Sequence, residues 1–452
     1  MTPRDRILQG RPVQALISLA LPNLAASLVQ SLMLITEGWY IGGLGGEALA
    51  GVALVFPLFM LTMMLSAGAI GGAVSGAMAR AVGAGDLARA NAVLRLAVII
   101  AVVAGLIKGG LMVVFGRELF LALGGQGAVL EQAEAYAGIL FPAIVVLWLS
   151  NMTASALRGT GDMLRPAFGV VIVVGAHFLL IVVQRAMGSP LGAAGAAWAM
   201  LGANLAGASF IAFVLARPSR AVRLSWSGWT GLQGGWRLVG AGLLAGSQSI
   251  MTIAYALIAT GVFARFGQHW LAGYGIGARL ELLLIPVVFG IGGATMVVTG
   301  TLVGAGRRAD AVRTAWIGSF TAAAMVGTIG TVVAVWPGLW SGLFTDDPAI
   351  AASAGAYLSR VGPAYAAFGL GLCLYFASQG LETLMIPVLG ALLRVIVVGL
   401  GFWGLAMTGD LTPAPALWVV VGAILTYGGV VGFGLALGPW RQVQREPSPS
   451  LG

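Results

Sequence analysis

Apolar runs separated by short polar breaks extend along nearly the whole chain. They predict twelve helical spans, beginning near Ala15, Ala48, Ala92, Ala133, Met163, Leu191, Trp236, Leu271, Val312, Ala354, Leu384 and Ala414. The first run, Ala15 to Gly42, carries a carboxylate, Glu37. As a helix rising 1.5 Å per residue it is about 42 Å long against roughly 30 Å of hydrocarbon, which puts Glu37 in the outer part of the membrane. Asn23, Gln30 and Glu37 recur every seven residues and stack on one helix face beside Ser27. Lipid contact would cost a central charge roughly 2.5 to 3.5 kcal/mol, so this stripe is expected to face other helices or a water-filled cavity. Two roles fit Glu37: a packing or snorkelling group, or a titrating group on a transport pathway.

Composition strengthens the membrane reading. Of 452 residues, 59% are hydrophobic and 9% charged, which excludes a disordered chain and does not suit a soluble domain. Seventy glycines fit close approach of helices in lipid. The single cysteine, Cys373, cannot form an internal disulfide or a cysteine metal site. The net charge of +9 is scattered over short breaks, so it implies membrane topology and no nucleic-acid partner. Arg4, Arg6 and Arg11 precede a first run too long for a cleaved leader. Alternate breaks hold most of the arginines, Arg80, Arg89, Arg95, Arg158, Arg165, Arg307 and Arg308 among them, whereas the opposite set holds Arg117, Arg185 and Arg265. Both termini are therefore expected in the cytoplasm of a multi-pass, bacterial-type inner-membrane protein.

A shift of 221 residues lays Val82-Gly83-Ala84-Gly85 on Val303-Gly304-Ala305-Gly306, Tyr136 on Tyr357, Pro142 on Pro363, Gly159 on Gly380 and Pro166 on Pro387. Six spans separate the copies, so they share one orientation and form a parallel repeat. The fold class is all-α, twelve transmembrane helices in two pseudo-symmetric six-helix lobes. The expected division is 1–216, a cytoplasmic linker at 217–235 with Trp226 and Trp229, 236–440, and a cytoplasmic tail at 441–452.

Only Glu37 and Glu281 are acids lying clearly inside apolar runs. Glu281 could pair with Arg279 or a neighbouring helix, or serve transport. His177, in the fifth span, carries an imidazole suited to moving protons near neutral pH, or fills the lobe interior. Glu37, His177, Gln30 and Asn23 form the candidate cation-coupling set. Glu281, Asn151, Asn204, Gln248, Tyr255, Tyr365, Tyr375, Met63, Met64 and Trp198 form the candidate substrate cavity, since aromatic and methionine surfaces adapt to varied organic cations. Arg158-Gly159-Thr160-Gly161-Asp162 and Gly83-Ala84-Gly85-Asp86 lack the lysine and strand context of a phosphate loop and read as turns. No HExxH, paired cysteines or nucleophile motif is present, so no enzyme is indicated.

Together, Ala20-Leu21-Pro22, the stretch Tyr40 to Ala50, Arg80 to Gly85, Leu157 to Asp162 and Gly304-Ala305-Gly306-Arg307 resemble the multidrug and toxic compound extrusion (MATE) family, over nearly the whole chain. The resemblance implies two lobes around a cleft that opens to either side in turn. It also implies export of cationic, amphipathic small molecules against inward protons or sodium, with membrane lipids as surroundings and no cofactor beyond the ion gradient. Many relatives carry an aspartate where Glu37 stands, one methylene shorter, and use it for cation coupling. The fifth-, seventh- and tenth-span acids of other branches have no counterpart here, so coupling rests on Glu37. A sodium site wants several oxygen ligands, which favours the proton. A monomer is expected. The alternatives are a lipid-linked oligosaccharide flippase of the same superfamily and, less favoured, an integral membrane enzyme.

Overall fold

The computed structural model describes residues 3–9, 12–217, 222–224 and 235–443. Trp226, Trp229 and most of the expected linker and of the expected tail lie outside them. Every regular element among the described residues is helical. Eleven of the helices or continuous helix pairs are long and apolar enough to cross a membrane. A twelfth span forms when α6 (Gly127–Leu140) and α7 (Ile144–Gly159), bent by 52° at the Pro142 break, are taken together. The count follows the hydropathy pattern because a spanning backbone must satisfy its own hydrogen bonds.

The chain forms two compact units, residues 25–243 and residues 1–24 with 244–452. This differs from the expected division at both edges. Residues 1–24 group with the second half of the chain, and 235–243 with the first. Two helices therefore contribute to both units: α2 (Pro12–Gly42), which contains Pro22, and α10 (Gly235–Ala264).

The first unit also holds α3 (Gly46–Met63), α4 (Ile70–Gly83), α5 (Leu87–Ala122), α6, α7, α8 (Leu164–Ala186) and α9 (Gly192–Ala216). A wide π turn, Met64–Ala69, joins α3 to α4. Its core packs Val55, Phe59, Met78, Leu94, Phe141, Ile144 and Trp148. The second unit opens with a short helix, α1 (Pro3–Gln9), whose Ile7 packs with Val298, Leu302 and Ala311. Its other elements are α11 (Gln268–Gly304), α12 (Arg308–Val335), α13 (Gly338–Ser341), α14 (Pro348–Val361), α15 (Tyr365–Leu381), α16 (Met385–Thr408), α17 (Pro413–Leu437) and α18 (Pro439–Val443).

The repeat is visible in the internal packing of each unit. The α6–α7 break at Pro142 has its equivalent in the tight turn Gly362–Ala364 between α14 and α15, which contains Pro363. Glycines mark matching close approaches. A Cβ on Gly159 would stand 2.5 Å from the Ser75 carbonyl oxygen, and one on Gly380 2.6 Å from that of Met296. Gly51 meets Gln132 and Ala133 as Gly273 meets Ser353 and Ala354. Small residues are retained there because helix backbones touch. The glycine-rich motifs are turns, as expected: Asp86 caps α5 by accepting from the Arg89 amide at 2.9 Å, and Gly161 adopts φ +83° before Asp162.

Candidate functional site

The site is built on the C-terminal half of α2. Helical spacing turns Met33, Glu37, Tyr40 and Ile41 inward, whereas Leu34, Ile35 and Trp39 are exposed. Tyr40 donates from its hydroxyl to the Gly192 carbonyl oxygen at 3.0 Å, which fixes this end of α2 to the start of α9. One turn deeper, Glu37 is buried, 7% exposed, and its Oε1 accepts a hydrogen bond from the hydroxyl of Tyr136 on α6, itself 3% exposed. Among the described residues no Lys, Arg or His forms an ion pair with Glu37. A carboxyl group with a phenol as its partner is held in place without being neutralised by a fixed charge.

The expected stripe is only partly assembled. Asn23 is buried in the second unit, where its amide nitrogen donates to the carbonyl oxygens of Phe289 and Gly290, both at 3.2 Å. Fourteen positions of the chain separate it from Glu37. Gln30 is exposed. His177 is fully buried on α8, and neither ring nitrogen has a hydrogen-bond partner among the described residues. It makes no ion pair with Glu37. The structure therefore leaves Glu37 without Asn23, Gln30 or His177 as a direct partner.

Several cavity candidates do meet. The Asn151 amide donates to Ser66 Oγ at 2.8 Å and to Met63 Sδ at 3.7 Å, across the π turn that contains Met64. Turns of this kind often accompany functional sites. Asn204 lines a small crevice with Leu140, Ile144 and Met200 at the α6–α7 break, but spends its amide on the Met200 carbonyl oxygen of its own helix. Trp198 is half exposed and joins neither group.

In the second unit Glu281 pairs with Arg394 of α16, Nη2 to Oε1 at 2.7 Å, and not with Arg279, which lies over the Phe344 ring. Tyr255 presents its ring to Arg394, and Gln248 donates to the Tyr427 hydroxyl at 2.8 Å. Tyr375 donates to the Ala245 carbonyl oxygen at 3.3 Å and Tyr365 to that of Gly277 at 3.5 Å. Tyr136 and Arg394, with Ser66 and Tyr427, are residues that sequence reasoning did not place in a site. Tyr136 carried one signal, its recurrence as Tyr357 six residues before a repeated proline.

Two helical units, each with a repeated proline at the junction of two helices, and a buried acid on a helix that contributes to both units define a polytopic membrane transporter fold. The MatE family profile matches residues 22–183 and 245–402, so the chain belongs to the MATE family of efflux transporters. The chain is 28% identical to the probable multidrug resistance protein NorM of Deinococcus radiodurans, over 95% of this chain and 96% of that one. It is 24% identical to the protein of the same name from Thermotoga maritima, over 77% and 75%. A solved outward-facing multidrug resistance MATE transporter of the MOP superfamily superposes with TM-score 0.90 at 22% identity, covering 98% of both chains.

Proposed function

We propose that this chain exports small cationic or amphipathic molecules from the cytoplasm by exchange against protons, with Glu37 as the exchanging group. The carboxyl takes a proton from the outside and so releases a cationic cargo. Once the cleft reopens inward, it loses the proton to the cytoplasm and can hold cargo again. The transporter works in the cytoplasmic membrane with both termini inside, the orientation that the arginine distribution favours. The observation that carries this reading is the burial of Glu37 against Tyr136 without a fixed cation. The names of the NorM relatives agree with a multidrug cargo. One carboxyl and one phenol suit a proton better than sodium, which takes several oxygen ligands.

Everted vesicles acidified by a respiratory substrate test the scheme. A cationic dye or drug is expected to dissipate the pH gradient with the wild type and not with Glu37→Gln, and Glu37→Asp is expected to keep part of the response. Equal responses from wild type and Glu37→Gln would overturn it. Repeating the assay with and without sodium separates the two ions.

A further inference from the structure

The ion pair of the second unit has the construction of a receptor for an organic cation, with the cation supplied by the chain itself. The guanidinium carbon of Arg394 lies 3.6 Å from the centroid of the Tyr255 ring, 5.5 Å from that of Phe368 and 5.9 Å from that of Tyr427. Its Nη2 donates to Glu281 at 2.7 Å. The three rings and the carboxylate come from α10, α15, α17 and α11, so four helices converge on a guanidinium carried by a fifth, α16. Ring faces within about 6 Å attract a cation, and more strongly once water is removed. The Arg394 side chain is 4% exposed and that of Glu281 13%, so the cation is enclosed and the carboxylate largely so. Gln248 orients Tyr427 through its Nε2, and its buried Oε1 has no hydrogen-bond partner among the described residues, which leaves a spare acceptor next to the ring. A carboxylate with several ring faces is the chemistry that recognises guanidinium and alkylammonium groups.

We propose that Arg394 is a tethered competitor. Its guanidinium fills a cation cage in the second unit, excludes cationic cargo from it and confines exchange to Glu37. Only the last clause rests on the exchange reading above; the cage stands on its own geometry.

Methylguanidinium is the probe. Chains carrying Glu37→Gln, which silences the first acid, are purified in detergent and tested for retention of the radiolabelled ion at ionic strength fixed with sodium chloride. Adding Arg394→Ala is expected to create saturable binding near one equivalent per chain, absent from Glu37→Gln alone. Adding Glu281→Gln as well is expected to weaken it about 100-fold, since the vacated cage then lacks its counter-charge. The proposal falls if the folded Arg394→Ala chain shows no saturable binding, or if Glu281→Gln leaves that binding unchanged. Should Arg394→Ala aggregate, it and Arg394→Leu are prepared with methylguanidinium throughout. Recovery of a monodisperse Arg394→Ala chain supports the cage, and aggregation of both variants despite the ion counts against it. No gradient enters the measurement, so its failure leaves the Glu37 scheme intact, and failure of the vesicle assay leaves the cage intact.

Discussion

Tyr136 and Tyr357 occupy equivalent positions in the two copies of the repeat, and only Tyr136 meets an acid. Its hydroxyl is bonded to Glu37, whereas Tyr357 stacks edge-on against Tyr274 with ring centroids 5.6 Å apart and joins a cluster with Phe263. Equivalent tyrosines on equivalent helices thus bond an acid in one unit and, in the other, join an aromatic cluster with a hydrogen bond to Tyr365. The difference lies in what faces them, α2 with its acid or an aromatic neighbourhood.

That contrast makes Tyr136→Phe a selective probe. The ring and its packing remain, and only the donor to Glu37 is lost. A hydrogen bond to a charged partner is worth about 1.5 to 3 kcal/mol, so cargo-evoked dissipation of the pH gradient should slow roughly 10-fold or more. Tyr357→Phe should leave transport near wild type. Equal slowing by both, in the same vesicle assay, would separate Tyr136 from the exchange.

Neighbouring glycines on α5 provide an internal control for helix contact. A Cβ on Gly109 would lie 2.7 Å from the Phe141 carbonyl oxygen at the α6–α7 break, and one on Gly110 meets nothing within 4 Å. Gly109→Ala is expected to cost about 1 to 3 kcal/mol through overpacking, and Gly110→Ala to be near neutral. Thermal unfolding followed by size-exclusion chromatography in detergent should place the two variants on opposite sides of a clear gap.

His177 is buried with both ring nitrogens unpartnered among the described residues, and an unsatisfied buried polar group costs about 1 to 3 kcal/mol. His177→Leu, close in volume, is therefore expected to match or exceed wild-type stability and to retain proton-linked transport. Loss of the transport response with the fold intact would return the imidazole to the coupling pathway.

The spans and their repeat were legible because both depend on local signals: run length for a helix in lipid, and recurring glycine, proline and tyrosine for points where backbones touch or break. Contacts between helices were not. Seven-residue spacing predicts one face for Asn23, Gln30 and Glu37, but it carries no information on what covers each position: Asn23 and Glu37 are buried and Gln30 is exposed. Arg279 looked like a partner for Glu281 by proximity in the chain. Residues two apart on a helix point to different sides, and the ion pair instead came from α16. The exchange of residues 1–24 and 235–243 between the units has no mark in hydropathy, because the helices that carry it are continuous.

The π turn at Met64–Ala69 has a bearing on how the two copies correspond. Gly51, before it, matches Gly273, an interval of 222 positions, whereas Ser75, after it, matches Met296, an interval of 221. The earlier copy thus stores one residue more than the later one, whose α11 runs through unbroken. A widened turn absorbs a single inserted residue without breaking the helix. Any residue-by-residue transfer of roles between the copies must therefore change frame at that turn, or every counterpart assigned on one side of it will be rotated by about 100° onto the wrong helix face.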